Sequence, residues 1–496
     1  MKTTAELYNE YCEYMKRVAD VRYAAAVLQW DQETYMPEKG ANGRARQLAT
    51  LSELAHEMAT SGSFEELVNE LAGRTDLTGI QYKNVTLTQE DLSRQKKLSG
   101  PFVRRLSEAV SRAFNSWISA RKQNSFAVFE SDLAELVTLK REAAELYGYE
   151  GHPYNALTFE YERSVTVEKL DRIFAAIIPS LQKSIEAIAR KPEVDNDFLR
   201  QFYPKSEQWA WGMWLVKELG FDLQAGRQDI SVHPFTTNFS SQDVRITTRV
   251  DEYDFANMTW SCIHEAGHAL YEQGLRDSEY GLPSGEYASL SIHESQSRLW
   301  ENCVGRNLAF WKNYLPELQT YFPEQLQHVT LDEFYTGINK VQPSLIRTEA
   351  DELTYHFHVY IRYQIEKELI GGELPVKGIP ARWNELYKKH LGVDVPDDIH
   401  GCLQDVHWSH GSFGYFPTYS LGSFYAAQFW DKAQQEIPAL QHDAIDETGL
   451  AQLLSWLRKQ IHVYGRMLDS EELCTTVTGE PLNVAYFEKY VAEKFK

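Results

Sequence analysis

The sequence contains few cysteines, and their arrangement predicts no covalent framework. The five are odd in number, scattered along the chain and free of any Cys-x-x-Cys pair: Cys12, Cys262, Cys303, Cys402 and Cys474. A disulfide scaffold and a thiolate zinc site are therefore excluded. The amino terminus lacks an apolar signal-peptide core, and no uncharged apolar run reaches about 18 residues. A reducing cytoplasm is the expected compartment.

Basic residues are also scarce. Lysine and arginine together number 50 against 71 aspartates and glutamates, so the formal charge is −21. Nucleic-acid phosphates and anionic membrane surfaces would be repelled, and we predict neither as a partner. The hydrophobic fraction of 43% is ample for a large core.

Among the residues present, the stretch Cys262–Leu270 carries the strongest chemical signal. It contains His264, Glu265 and His268 in the pattern His-Glu-x-x-His. Residues four apart lie on one face of an α-helix, so the two imidazoles can bind one metal ion. Glu265 then flanks that metal and can take a proton from a water that the metal activates. The pattern predicts a zinc-peptidase site with Glu265 as general base and acid.

A catalytic zinc site needs a third protein ligand. After His268 the chain passes through a loop rich in glycine and proline, and a helical pattern restarts at Ser291. We predict Glu294 on that helix as the third ligand, with His293 as the rival donor. A metzincin would place histidine at position 274, which is glycine here, so that subclass is excluded.

The remaining patterns are mainly helical, so the predicted fold is mostly α. Thr3 and Glu6 fit a capping box that opens a helix over residues 3–20, and residues 166–190 carry a clear apolar stripe. From Ser231 to Tyr253 the composition changes, and Val244–Val250 favours a strand. A small sheet or hairpin is therefore predicted just before the metal helix, either bracing that helix or pairing with an extended substrate.

Six ordered segments resemble those of the carboxypeptidase Taq family of zinc metallocarboxypeptidases. They are His233–Phe235, Asp243–Thr247, His264–His268, His293–Gln296, Ile346–Asp351 and Gly401–Trp408. The stretch Leu28–Thr34 is also similar, so the resemblance extends over the whole chain.

The resemblance implies a large helical gluzincin-type fold with a deep groove, formed by a single domain over residues 1–496. Its zinc-site motifs would lie within 233–422, and residues 1–225 would form a wall of the groove. It also implies one Zn²⁺ per chain, release of single carboxyl-terminal residues from short peptides with poor release of proline, and a homodimer. Co²⁺ or Mn²⁺ can substitute for zinc at such ligands.

Further site residues follow from the resemblance. Arg347, in the Ile-Arg-x-x-Ala-Asp segment, is the implied ligand of the substrate carboxylate, with an ion pair to Asp351 as its competing role and Arg245 as the alternative cation. By similarity to thimet-type oligopeptidases, the candidates for stabilising the oxyanion lie in one His- and Tyr-rich segment: His410, Tyr415 and Tyr419, with His407 in the family motif itself.

Two questions stay open at the level of sequence. An endo-acting zinc oligopeptidase would use the same chemistry, and it would differ by cleaving a peptide whose carboxyl terminus is amidated. Asp243, Glu301 and Asp405 are all candidates for hydrogen bonds to the zinc-binding histidines, and the sequence does not choose among them.

Overall fold

The computed structural model describes residues 2–496, which form two compact units. Each unit combines three separate stretches of the chain. Unit 1 consists of residues 1–95, 195–338 and 425–482, and unit 2 of residues 96–194, 339–424 and 483–496. No helix in the described part of the chain is long and apolar enough to span a membrane.

Helices make up 69% of the chain, which confirms the mostly α prediction. In chain order they are α1 (Thr4–Thr34), α2 (Ala41–Ala59), α3 (Gly62–Ala72), α4 (Gly79–Lys96), α5 (Gly100–Gln123), α6 (Ala127–Tyr147), α7 (Tyr154–Thr158), α8 (Val167–Ile188), α9 (Lys205–Glu218), α10 (Phe255–Glu272), α11 (Leu290–Arg298), α12 (Leu308–Tyr321), α13 (Pro323–Leu326), α14 (Leu331–Ile338), α15 (Tyr355–Gly371), α16 (Ile379–Leu391), α17 (Pro417–Glu436), α18 (Glu447–Gln460), α19 (Ser470–Thr478) and α20 (Ala485–Lys494).

Helix α1 begins where the sequence predicts and continues much further. The Thr3 hydroxyl accepts a hydrogen bond from the Glu6 amide at 3.2 Å, and the Glu6 carboxylate accepts one from the Thr3 amide at 2.8 Å. This reciprocal cap satisfies two amides that the first turn leaves without partners. The helix extends to Thr34, fourteen residues beyond the predicted end at position 20, and so includes the whole Leu28–Thr34 segment.

The predicted small sheet is present in unit 1. Its strands are β1 (Gly226–Ile230), β2 (Thr236–Ser240) and β3 (Asp243–Thr248), in the spatial order β1-β3-β2. Strands β2 and β3 form an antiparallel hairpin, whereas β1 pairs parallel to β3. Strand β1 lies before Ser231, where the predicted stretch begins. The sequence did not predict this strand, because Gly-Arg-Gln-Asp-Ile lacks the β-branched pattern that marks β3.

Side-chain hydrogen bonds fasten the sheet to α10, the helix that carries His-Glu-x-x-His. The Gln228 amide of β1 donates to the Cys262 sulfur at 3.2 Å, and the hydroxyls of Thr248 and Ser261 lie 2.7 Å apart. The sheet thus braces the metal helix, which was one of its two predicted roles.

Unit 2 is helical and includes the end of the chain. The predicted stripe of α8 buries Leu170, Phe174, Ile177 and Leu181. At the carboxyl end, the Lys494 ammonium lies 2.6 Å from the Glu352 carboxylate, and both side chains are at least 94% buried. The last helix is therefore anchored to the segment that follows the Ile346–Asp351 motif. The single-domain assignment and the groove wall at residues 1–225 stay predictions.

Candidate metal centre and active site

Helix α10 places both histidines of the motif on one face. The Asp254 carboxylate caps the helix by accepting from the Asn257 amide at 3.4 Å, and the helix continues through both histidines to Glu272. The rings of His264 and His268 are 4.9 Å apart between centroids. Most of the surrounding helix is buried, so these polar side chains project into a largely enclosed space.

Glu294 completes a three-donor cluster. It lies on α11, whose first turn is capped by the Ser289 hydroxyl accepting from the Ile292 amide at 3.1 Å. The Glu294 Oε2 atom is 3.7 Å from His264 Nε2 and 3.5 Å from His268 Nε2, and the three donor atoms all lie within 4.8 Å of one another. Two ligands at zinc-bond length in tetrahedral geometry are about 3.3 Å apart, so the spacing fits one small divalent ion.

A glycine permits α10 and α11 to approach closely enough for this cluster. A Cβ atom built on Gly267 would lie 2.6 Å from the Ser297 Cα and 2.8 Å from the Gln296 carbonyl oxygen. Both distances are well inside van der Waals contact. The glycine between the two histidines of the motif is thus the position where the two ligand-bearing helices touch.

The outer ring nitrogens of both histidines donate hydrogen bonds to fixed acceptors. The Nδ1 atom of His264 lies 2.8 Å from a Glu301 carboxylate oxygen, and that of His268 lies 3.0 Å from the His293 carbonyl oxygen. Both acceptors require a proton on Nδ1, which leaves the Nε2 lone pairs facing Glu294. This is the tautomer that a metal-binding histidine needs.

Arg298 links the ligand carboxylate to the carboxylate behind His264. Its Nε donates to Glu294 Oε1 at 2.7 Å, and its Nη1 donates to Glu301 Oε2 at 3.0 Å. Glu301 lies in a π-helical segment, Leu299–Val304, that continues directly from α11. From this segment the Glu301 carboxylate reaches His264, and single π-turns of this kind are frequent at functional sites.

Electrostatics favour the metal-binding protonation state at two of the three donors, His268 and Glu294. At His264, burial alone would lower the pKa, but Glu294 and Glu301 outweigh it and raise that pKa, so a metal must displace a more firmly held proton there. Burial, together with the nearby His293, lowers the pKa of His268 to about 3, so its imidazole stays neutral. Burial alone would raise the pKa of Glu294, but Arg298 and His264 outweigh it and hold that pKa well below its usual range. Likewise, the pKa of Glu301 falls to about 2 despite burial, chiefly through Arg298. Neutral nitrogen and ionised carboxylate donors suit a divalent cation.

His293, the rival donor, has a different role in the structure. Its Nε2 lies 2.8 Å from a Glu272 carboxylate oxygen, and its ring stacks on His268 with centroids 4.4 Å apart. It therefore packs beside the cluster as a hydrogen-bonded helix residue.

Glu265 lies next to this cluster and receives a hydrogen bond from the sheet. The Thr236 hydroxyl of β2 lies 2.6 Å from Glu265 Oε2 and 3.1 Å from the Glu265 carbonyl oxygen. Burial raises the pKa of the Glu265 carboxyl above its ordinary value, which makes its carboxylate a stronger base.

The sequence and fold have well-characterised relatives. The family model of the carboxypeptidase Taq (M32) metallopeptidases matches residues 10–495. The chain belongs to this family. It is 38% identical to Carboxypeptidase 1 of Bacillus subtilis over 492 residues, which cover 98% of this chain and 97% of that protein.

Solved structures agree with this assignment. The crystal structure of the M32 carboxypeptidase from Deinococcus radiodurans matches with a TM-score of 0.96 at 36% identity, covering 99% of both chains. The Pyrococcus furiosus carboxypeptidase matches with a TM-score of 0.96 at 33% identity, covering 100% of both chains. This chain is therefore an enzyme of a metallopeptidase family, which implies a divalent metal, and the cluster of His264, His268 and Glu294 has a geometry that could hold one.

Within unit 2 of the M32 enzyme, Arg347 is buried in an ion-pair network. Its Nε donates to Asp405 Oδ1 at 2.9 Å and its Nη1 donates to the Tyr355 hydroxyl at 2.9 Å. Arg362 donates to the other Asp405 oxygen at 2.6 Å. The expected competitor, Asp351, instead accepts from the amides of Leu353 and Thr354, because it caps the turn that starts α15. The prediction of an ion pair between Arg347 and Asp351 is therefore wrong.

The His- and Tyr-rich segment brings three of its four predicted residues together. His407 Nε2 lies 3.1 Å from the Tyr419 hydroxyl, and the Tyr415 ring is 5.3 Å from His407 and 5.2 Å from Tyr419. The Arg347 guanidinium lies 5.0 Å above the Tyr419 ring. His410 is exposed and packs against Phe114 at 5.1 Å.

Burial, with Arg347 nearby, lowers the pKa of His407 to about 3, so this imidazole is neutral. Its Nδ1 is buried and has no hydrogen-bond partner among residues 2–496. His407 and Tyr419 therefore form a neutral pair beside the Arg347 cation.

Arg245, the alternative cation, lies in unit 1. Its guanidinium pairs with both oxygens of Asp243, each at 2.9 Å, and lies 4.4 Å from the Trp30 ring and 4.8 Å from the Phe239 ring. Asp243 and Asp405 thus pair with arginines, and Glu301 is the one of the three candidate carboxylates that contacts a histidine of the metal cluster.

Sequence reasoning missed three residues of the site. Thr236 and Arg298 contact predicted site residues, and Gly267 lies where α10 and α11 meet. Each is an ordinary residue type for its strand or helix. A signal existed for Arg298 alone, because it lies four residues after Glu294 on the same helix, where an ion pair forms readily.

Proposed function

We propose that this enzyme is a zinc-dependent carboxypeptidase that releases single residues from the carboxyl ends of short peptides. The observation that carries the proposal is the cluster of His264, His268 and Glu294, with Glu265 immediately beside it. Two imidazoles and one carboxylate leave a coordination position open, as catalytic zinc sites do. Support for action at the carboxyl end comes from family membership and from the carboxypeptidase names of the relatives.

The chemistry divides between metal and side chains. A bound zinc ion supplies a Lewis acid that polarises the peptide carbonyl and activates water. Glu265 accepts the proton of the attacking water and delivers it to the leaving amine. The proposed donors for the developing oxyanion are His407, Tyr415 and Tyr419. A fourth proposed donor is His410, which is exposed and packs against Phe114.

Arg347 is the proposed recognition group for the substrate carboxylate. A guanidinium fork suits a carboxylate, and Asp405 and Tyr355 fix this fork rigidly in place. The Arg347→Gln variant should lower kcat/KM for peptides with a free carboxyl end far more than for amidated ones. Arg245→Gln is the matched variant, and a loss of the preference for free ends there instead would transfer the role to Arg245.

Several broader properties belong to the same proposal. Side-chain specificity is broad, with poor release of carboxyl-terminal proline, and the enzyme works as a homodimer in the cytoplasm. Five cysteines that are all free among the described residues support a reducing compartment. Co²⁺ or Mn²⁺ can replace zinc at these ligands. Light scattering on the purified protein tests the dimer directly.

The deciding experiment is a mass-spectrometric time course on one peptide in three forms: unmodified, amidated at the carboxyl end and acetylated at the amino end. We expect stepwise loss of carboxyl-terminal residues that amidation blocks and acetylation does not. Internal cleavage of the amidated peptide would make the enzyme an endo-acting oligopeptidase instead.

The Glu265→Gln variant tests the assigned base in the same assay. It keeps all three metal ligands, so metal analysis should find the wild-type metal content. Turnover should fall by about 100- to 10,000-fold, which is the typical contribution of a general base to the rate. Activity near the wild-type level would refute the role of Glu265.

A further inference from the structure

Strand β2 contacts α10 at two points on the same face. Residues two apart in a strand project to the same side, which places Thr236 and Asn238 together toward the helix. The Thr236 hydroxyl reaches the Glu265 carboxylate at 2.6 Å, and the Asn238 amide donates to Glu272 at 2.7 Å. The strand thus spans the two turns of α10 that include the metal-binding histidine His268.

Two of the family's sequence motifs hold β2 in this position. The Thr247 hydroxyl, in the Asp243–Thr247 motif, accepts a hydrogen bond from the Phe235 amide at 2.9 Å. The Thr247 amide in turn donates to the Phe235 carbonyl at 2.9 Å. Phe235 ends the His233–Phe235 motif, and Thr236 follows it directly. The backbone that carries the Thr236 hydroxyl is therefore fixed by hydrogen bonds on its amino-terminal side.

The contact with Glu265 is selective for one carboxylate oxygen. Thr236 occupies Oε2, while Oε1 accepts no hydrogen bond from any residue between 2 and 496. A carboxylate held at one oxygen cannot turn freely about its terminal bond, and a threonine hydroxyl can rotate to keep donating to it. Oε1 is thereby left as the oxygen available for a proton.

We propose that Thr236 is a positioning residue for the reaction. Its hydroxyl holds Glu265 Oε2 and so presents Oε1 as the atom that accepts the proton of the attacking water. This role rests on the proposed function of Glu265 as general base. It assigns a role in the reaction to a residue of the small sheet, and it gives a function to the hydrogen bonds between the preceding motif and β3.

The test compares Thr236→Val, Thr236→Ser and Thr237→Val with the zinc-loaded wild-type enzyme. Valine replaces the hydroxyl by a methyl group of similar size. Serine keeps the hydroxyl. Thr237, the next residue on the strand, projects to the opposite face, so Thr237→Val is the same chemical change without the contact to Glu265.

We expect Thr236→Val to lower kcat about 10- to 100-fold with little change in KM, because a hydrogen bond to a charged group is lost while substrate binding is not. Thr236→Ser should stay within about threefold of the wild type, since it retains the donor. Thr237→Val should match the wild type. Zinc content and the thermal midpoint of unfolding should be the same in all four proteins.

Three outcomes overturn the inference. One is a Thr236→Val enzyme with normal kcat, another is a serine variant as slow as the valine variant, and a third is a raised KM at unchanged kcat. A wild-type enzyme that releases no carboxyl-terminal residue overturns the proposed function itself. Normal wild-type release with a normal Thr236→Val enzyme overturns this inference alone.

Discussion

Behind the proposed metal ligands lie side chains that would determine how firmly an ion is held. Glu301 fixes the tautomer of His264, and it also pairs with Arg298, which in turn pairs with Glu294. One carboxylate therefore helps to position two of the proposed ligands. Such outer contacts typically contribute 10- to 100-fold to metal affinity. The π-helical placement of Glu301 makes the contact specific to this residue.

Glu301→Gln should therefore weaken zinc binding by about 10- to 100-fold, because a neutral amide neither polarises His264 nor pairs with Arg298. Competition with a chelator of known affinity measures the dissociation constant. Glu324→Gln, an exposed glutamate on α13, is the control and should bind zinc normally. Equal affinities in the two variants would contradict the role of Glu301.

Glu366 is the buried carboxylate in α15 that holds the segment with the His407 cluster. It accepts hydrogen bonds from Trp408 Nε1 at 2.8 Å, from the Gly414 amide at 3.0 Å and from the Tyr154 hydroxyl at 2.6 Å. Burial raises its pKa to about 7 from an ordinary 4.5. Between those values the folded protein holds a proton that the unfolded chain has lost, so the group makes stability fall as pH rises.

Glu366→Gln should remove this pH-dependent term. The variant loses one acceptor at every pH, so it is less stable than the wild type at pH 5. The difference in free energy of unfolding between wild type and variant should be smaller at pH 8 than at pH 5 by about 1–3 kcal/mol, because at pH 8 the wild type has a buried charge. Denaturant unfolding of both proteins at the two pH values measures the difference. A loss of stability in the variant that becomes larger as pH rises would contradict the raised pKa of Glu366.

At the scale of secondary structure, the close contact between α10 and α11 depends on a glycine. Gly267 lies at that contact, whereas Gly43 in the interior of α2 has open space around it. The two glycines are both helical, so they form a matched pair. Only their surroundings differ.

Gly267→Ala should destabilise the protein by about 1–3 kcal/mol and reduce zinc binding, because the new methyl group must push α11, and Glu294 with it, away from α10. Gly43→Ala should be neutral or stabilising by up to about 1 kcal/mol through helix propensity. Thermal unfolding and metal analysis of the two variants provide the comparison. Equal behaviour would contradict the close approach.

The cluster of predicted metal ligands was predictable because its geometry is local. His264 and His268 lie four apart on one helix, and Glu294 lies on the next helical stretch after a short loop. Thr236 was not predictable, since its contact with Glu265 depends on a hairpin folding back onto α10. The partner of Arg347 was missed for the same reason: Asp405 is 58 residues away in sequence, while Asp351 is a near neighbour on the chain.

At the scale of the whole molecule, each unit is assembled from distant parts of the chain. Sequence patterns predicted helices and one strand well, since these follow from local periodicity. They did not predict the two units, whose stretches meet through contacts between residues hundreds of positions apart. In unit 2, the last fourteen residues, 483–496, return to the part that begins at residue 339.

Substitutions in the buried ion pair of Lys494 and Glu352 test whether this last segment stabilises unit 2. Lys494→Met should destabilise unit 2 by about 3–5 kcal/mol, because Glu352 is left as a buried charge without its cation. Denaturant unfolding measures the loss. The double variant with Glu352→Gln should recover part of it, and a single variant as stable as the wild type would show that the last helix does not anchor unit 2.

The π-helical turn at Leu299–Val304 limits how the gene can change in length. A regular α-helix advances about 100° per residue, so deleting one residue between Glu294 and Glu301 would rotate Glu301 relative to Glu294 and turn it away from His264. Most substitutions in this stretch leave the backbone path intact, whereas a single-codon deletion does not. The seven-residue interval between the two glutamates is thus a fixed length, and a homologous sequence with a shorter interval would have to support its first histidine with a different residue.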